Sequence, residues 1–291
     1  MIADAFMDAV IDTVKIIPFL FITYLLMEYL ESMTEDRIRT GLAKVKRTGP
    51  LWGAVVGVIP QCGFSAAAAS LFAGGILSTG TLLAVFLSTS DEMLPVFISE
   101  HVPLTVIFRI LCCKALLGMI SGFVADLLPM RRKESAAGGH KEKHIHDLCE
   151  HEHCHCEGGS GGILRPALNH TVKVSAYLFV ITFVLTCLIE LVGEGAIAGL
   201  LTGMPVAGSL IAGLIGLIPN CAASVIIAKL YLTGMITSGQ MLSGLLVGAG
   251  VGLLVLFRTN RDRRENVRIC LMLYGVGVFW GIAADLLHIV F

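Results

Sequence analysis

One offset organises this chain. Val58-Ile59-Pro60-Gln61-Cys62 returns as Leu217-Ile218-Pro219-Asn220-Cys221, and 219 − 60 = 159. At that offset, without gaps, Glu31 meets Glu190, Gly57 meets Gly216, Ser65 meets Ser224, Gly80 meets Gly239 and Arg109 meets Arg268. Gly118, Gly122, Ala125, Asp126, Leu127 and Leu128 meet Gly277, Gly281, Ala284, Asp285, Leu286 and Leu287. Matched Leu or Ile mean little between apolar segments, but matched Pro, Cys, Arg, Asp and Gly at one spacing mark a duplication. The chain therefore reads as membrane repeat one over 1–128, a linker over 129–167 and membrane repeat two over 168–291.

Composition places these repeats in a bilayer. Hydrophobic residues make up 55% of the 291 positions and charged residues only 15%. Soluble domains carry about 25% charged residues. Apolar runs at 16–30, 174–189 and 239–257 approach or reach the ~20 residues that cross a membrane. The start, Met1-Ile2-Ala3-Asp4, lacks the positive region of a cleavable signal, so the first helix is expected to be retained. A net charge of −1 offers no bulk attraction to nucleic acid. Six of the nine Cys, namely Cys62, Cys112, Cys113, Cys187, Cys221 and Cys270, lie in or beside apolar segments. That is not the pattern of a secreted disulfide framework.

Basic clusters fix the sidedness, because Lys and Arg accumulate in cytoplasmic loops. One cluster covers Arg37 to Arg47, a second Arg131 to Lys143 and a third Arg258 to Arg264. Expected spans are 9–31, 80–98 and 103–128 in the first copy, and 169–192, 239–257 and 266–288 in the second. The segments 50–75 and 208–234 contain Pro60 and Pro219, which interrupt helix hydrogen bonding. Each flank, at ~10–12 residues and 1.5 Å per residue, is too short to cross. Each segment is thus expected to be a re-entrant hairpin of two half-helices. Three spans per copy is an odd number, so the second copy is inverted. The expected fold is all-α: two inverted repeats, each of three spans and one hairpin, ten helical segments in total. Such repeats with broken helices characterise transporters, whose sites lie at the midplane.

Three groups of residues can carry chemistry there. The hairpin tips offer a carboxamide, a thiol and a hydroxyl twice over: Gln61, Cys62 and Ser65, then Asn220, Cys221 and Ser224. This donor set suits a borderline or soft cation, or a thiophilic metalloid; the plain alternative is that these groups cap half-helices and pack. Ser90, Asp91 and Glu92 interrupt the apolar segment 80–98, and acids inside a span are by default functional. The alternative there is a broken helix near an aqueous mouth. The second copy has Gly250 and Val251 in place of the two acids. The linker supplies His140, His144, His146, Cys149, His151, His153, Cys154, His155 and Cys156, which suit a flexible, low-specificity metal binder on the cytoplasmic side. The symmetric Asp126 and Asp285 are expected to share a structural role as a cap or an ion pair.

The duplicated Ile-Pro-Gln/Asn-Cys tips, the run Ser-Thr-Ser-Asp-Glu-Met-Leu-Pro at 88–95 and the His-rich central loop resemble a family of bacterial and archaeal ten-helix heavy-metal exporters. Members are described as manganese transporters or arsenic efflux proteins, and the resemblance covers nearly the whole chain. It implies a multi-pass permease of the inner (plasma) membrane, with a metal or metalloid ion and the bilayer as partners, a homodimer as a compatible assembly, and no required cofactor. The alternative cargo is a small organic anion or a thiol-containing solute. No P-loop, His-Glu-x-x-His or Gly-x-Ser-x-Gly motif occurs, so neither an ATP motor nor an enzyme is expected.

Overall fold

The computed structural model describes residues 2–31, 48–90, 93–127, 164–192 and 205–291, and no strand occurs among them. The first copy holds α1 (Ile2–Glu31), α2 (48–57), α3 (Cys62–Ala73), α4 (Thr79–Ser88), α5 (Met93–Ser99) and α6 (Leu104–Leu127). The second holds α7 (Leu164–Val192), α8 (Pro205–Gly216), α9 (Cys221–Leu232), α10 (Ser238–Val247), α11 (Val251–Thr259) and α12 (Arg263–Leu286). Among the described residues, five stretches have the length and composition to cross a membrane: Thr79–Ser99, Leu104–Leu127, Ala167–Val184, Ser238–Thr259 and Arg263–Leu286. The 30-residue α1 also has the length, about 45 Å.

Burial runs opposite to that of a water-soluble bundle. The stretches Thr79–Ser99 and Ser238–Thr259 are 75% and 83% buried, against 28% and 33% for Leu104–Leu127 and Arg263–Leu286. Exposed positions on the outer helices are large and apolar: Leu104, Phe108 and Leu116 on α6, Leu271 and Phe279 on α12. A contiguous apolar exterior around a packed interior is the surface a bilayer solvates.

The 159-residue offset holds in the bonding. At the first tip Ile59 N donates to Val56 O, Gln61 N to Ile59 O and Phe64 N to Gln61 O; at the second, Ile218 N donates to Ile215 O, Asn220 N to Ile218 O and Ala223 N to Asn220 O. Long-range contacts pair off likewise. α4 packs on α6 as α10 packs on α12, α3 meets α11, α5 meets α9, and α1 lies along α7. The indole N–H of Trp280 donates to the Ser121 hydroxyl at 2.9 Å, across a separation of 159 residues. That bond joins one position to its own repeat equivalent.

The expected shared role of Asp126 and Asp285 is an N-terminal cap in trans. Asp126 Oδ1 accepts from Gly80 N at 2.8 Å and Oδ2 from the Ser78 hydroxyl at 2.7 Å. Asp285 accepts from Gly239 N and the Thr237 hydroxyl at 2.8 Å each. Both carboxylates satisfy orphan N–H groups and complement the helix dipole. The approach demands glycine: a Cβ on Gly80 would lie 2.1 Å from Gly122 O, and one on Gly239 would lie 2.2 Å from Gly281 O.

One expectation changes. The segments 80–98 and 239–257 were expected as spans, with a broken helix only an alternative in the first, yet both break. α4 ends where Thr89 turns to φ −54°, ψ 130°. α10 ends at Gly248, and Gly250 then takes φ +53°, ψ −141°, a region glycine reaches without a Cβ penalty. The ten expected helical segments thereby become twelve among the described residues.

Replacing Asp126 or Asp285 by Ala should each cost about 0.5–2 kcal/mol, the range for losing a helix cap. Thermal unfolding of the detergent-purified variants measures this. A large cost in one copy and none in the other would contradict the equivalence of the two clamps.

Candidate functional site

Four interruptions of helix supply the site: the two tips and the two broken spans. At each, one helix ends and another begins, so carbonyl oxygens of one sign and N–H groups of the other face the gap. Side-chain contacts string the breaks together. A Cβ on Gly57, just before tip one, would strike the Ser88 hydroxyl at 2.0 Å, so tip one lies against the first broken span. A Cβ on Gly252 would lie 2.8 Å from Ser65 Cβ, so tip one also lies against the second broken span. A Cβ on Gly248 would lie 3.2 Å from the Ser224 hydroxyl, which brings tip two to the same break.

The tip residues have distinct environments. Gln61 is half-buried, and its side chain does not cap α3. The simple capping alternative therefore fails for this residue. Cys62 is 6% exposed, opens α3 and forms no disulfide. The buried Ser65 hydroxyl donates to Cys62 O at 2.8 Å, holding the first turn of α3. Asn220 is buried and donates its carboxamide N–H to the Thr186 hydroxyl on α7 at 2.9 Å. Tip two is thereby tied to the first helix of its own copy. Ser224 is half-buried beside Gly248. The Cys221 side chain lies outside the described residues.

In the first broken span, the buried Ser90 hydroxyl donates to Ser88 O at 3.1 Å, occupying one carbonyl freed by the break. Asp91 and Glu92 lie outside the described residues. So do all nine linker ligands: His140, His144, His146, Cys149, His151, His153, Cys154, His155 and Cys156. Among the described residues, no three His, Cys, Asp or Glu form a metal-holding group.

The site is a junction of helix ends lined with hydroxyls, a carboxamide and a thiol, inside an apolar-coated bundle. A family model described as "Putative, 10TM heavy-metal exporter" matches residues 1–157. The chain belongs to that family. The match takes in the first copy and most of the linker, more than half of the 291 residues. Searches of curated proteins and of solved structures gave no match.

One residue of this junction was not singled out from sequence. Lys114 sits in the middle of α6, 1% exposed, and its ammonium donates to Thr89 O at the first broken span. The signal was present as one Lys at the middle of a 24-residue, mostly apolar helix whose other charged residues, Arg109 and Asp126, lie toward its ends. Its partner could not be read, because contact between α6 and the end of α4 depends on a break that the apolar pattern conceals.

The junction leaves little room. Gly252→Leu should abolish transport and lower the unfolding temperature, since its side chain needs space held by Ser65 and Phe86. Gly275→Leu, where nothing lies within 4 Å, should fold and transport as the wild type does. Flux and melting curves of the two variants test this; an active Gly252→Leu protein would show that the packed junction is not the transport site.

Proposed function

We propose that this chain is a secondary transporter that exports a heavy-metal or metalloid ion, such as manganese or arsenite. Its two copies are inverted across the plasma membrane, and each contributes a re-entrant hairpin. The observation that carries this reading is the contact string from tip one to both broken spans and on to tip two. Inversion is supported by the pairing of α1 with α7, the exchanged contacts of α3 with α11 and α5 with α9, and the bond between Ser121 and Trp280. A position meets its own equivalent most readily beside an axis relating the copies. The odd number of spans per copy points the same way.

The cargo would bind among Gln61, Cys62, Ser65, Ser90, Asp91, Glu92, Asn220, Cys221 and Ser224. Carbonyls at helix C-terminal ends and the two acids favour a cation; the thiols add affinity for softer ions. The His- and Cys-rich linker would lie in the cytosol and collect ions there. A rocking motion of one copy against the other would expose the junction to each side in turn. A second reading has one observation in its favour: the buried Lys114 ammonium is a positive group that a small organic anion could meet.

Cellular metal content and growth tolerance, measured across a metal panel, decide between the two. Cells expressing the wild type should hold less of one metal. Asp91→Asn with Glu92→Gln, or Cys62→Ser with Cys221→Ser, should restore that level, and the more sensitive pair tells hard cargo from soft. Unchanged metal levels with protein present in the membrane would remove the metal reading and favour the organic solute.

A further inference from the structure

Ser70 on α3 and Ser175 on α7 are 0% and 6% exposed, and neither hydroxyl has a hydrogen-bond partner among the described residues. A hydroxyl buried on a membrane helix can turn back to the carbonyl four residues earlier. Thr13, Thr171 and Thr259 do so, donating to Ala9 O, Ala167 O and Val255 O at 2.7–2.8 Å. Ser70 and Ser175 stand in the same relation to Ala66 O and Thr171 O, yet do not make that bond. Such a buried hydroxyl is a place for water or for an ion that brings water with it.

Ser175 belongs to a row. On the buried face of α7, Thr171, Ser175, Thr182 and Thr186 fall within an arc of about 60° and along about 22 Å of helix. At one end Thr186 accepts from the Asn220 carboxamide of tip two at 2.9 Å. Toward the other end, the Arg258 guanidinium sits over the Tyr177 ring, 5.7 Å from its centroid. Arg258 opens the third basic cluster, so the row leads from tip two to the membrane face which that cluster marks. Small hydroxyl residues also serve close helix packing, but the repeat does not call for them here. The positions equivalent to Ser175 and Thr186 in the first copy are Ile16 and Met27, and α1 buries Ile16 and Leu20 where it runs along α7. α7 packs on α1 and α11, and both of those pack on α3. The four helices therefore close a ring, to which α3 and α7 each contribute an unpartnered hydroxyl, and α3 itself starts at tip one.

We propose that α1, α3, α7 and α11 enclose a hydrated route from the basic face to tip two, lined by Ser70, Ser175, Thr182 and Thr186, along which the cargo moves as an ion that keeps part of its water. Hydroxyls in a row replace a hydration shell piecemeal and hold the ion weakly at each step, as conduction requires. This rests on the export reading above for what travels, and adds the way by which it reaches the junction.

Thiol labelling of the full chain in lipid vesicles tests the route. Ser175→Cys and Thr182→Cys are treated with a trimethylammonium methanethiosulfonate, and mass spectrometry reads each position separately from the native Cys. Val180→Cys and Val184→Cys, exposed on the apolar exterior of the same helix, bracket Thr182 in depth. Only a thiol in contact with water ionises and reacts, so Ser175→Cys and Thr182→Cys should label at least tenfold faster than the two controls. If Thr182→Cys does not fold, Ser175→Cys carries the comparison. Flux of Mn²⁺ and Zn²⁺ in proteoliposomes tests the use of the route. Ser175→Ala with Thr182→Val, which removes the hydroxyls and nearly keeps the shape, should lower the flux at least fivefold without lowering the melting temperature. Thr13→Val, at a hydroxyl bonded to its own helix, should leave flux unchanged. Labelling no faster than at Val180 and Val184, or full flux in the double variant, would overturn this inference and leave the export reading standing. Fast labelling in a protein that moves neither ion would keep the wet route and remove the metal cargo instead.

Discussion

In a bilayer each backbone N–H and C=O must find its partner within the protein, because hydrocarbon supplies none. Everything distinctive in this fold follows from how that rule is met at four interruptions of helix. The breaks lie inside the bundle, where the stretches Thr79–Ser99 and Ser238–Thr259 are the most buried of the five candidate spans. Local bonds take up part of the released backbone, as when Ser65 binds Cys62 O and Ser90 binds Ser88 O. The start of each inner span is closed by a carboxylate from the neighbouring helix, Asp126 in one copy and Asp285 in the other. Helix ends brought together in this way carry partial charges, which is what the proposed ion path would use.

The two copies share this frame but not its chemistry. Backbone bonds, caps and the glycine contacts at Gly80 and Gly239 recur at the 159-residue offset, whereas the charges at Asp91, Glu92 and Lys114 do not. Lys114 faces the first break, and Leu273 holds the corresponding place at the second. In the proposed transporter a duplicated scaffold would supply two ways of opening, one to each face, while the ion site is needed once. Gene duplication followed by loss or gain of charge in one half gives that outcome without disturbing the packing.

Much of this was legible before any coordinates. The repeat, the tips at Pro60 and Pro219, and the paired role of Asp126 and Asp285 follow from matched residues whose chemistry is specific. The tips were readable because proline announces an interruption locally. The break after Ser88 was weighed only as an alternative and the one after Val247 was not read, because each is flanked by apolar turns that look like continuous spans. Their signals were Ser-Thr-Ser in one copy and Gly-Ala-Gly in the other, weak markers that also occur in unbroken membrane helices. Lys114 was missed for a related reason. Its meaning lies in a partner 25 residues away, and that proximity exists only once α4 has ended early. Contacts such as Gly252 against Ser65 join the two copies and have no local trace at all.

The central claim is that these four breaks form a path for a metal cation. Its most direct test is flux into proteoliposomes containing the purified chain, read with radioactive Mn²⁺ and Zn²⁺ against protein-free vesicles. The account predicts uptake of one of these ions that is protein-dependent and saturates with concentration, as expected for a site visited by one ion at a time. Vesicles that contain the folded protein and take up neither ion faster than the lipid alone would contradict it.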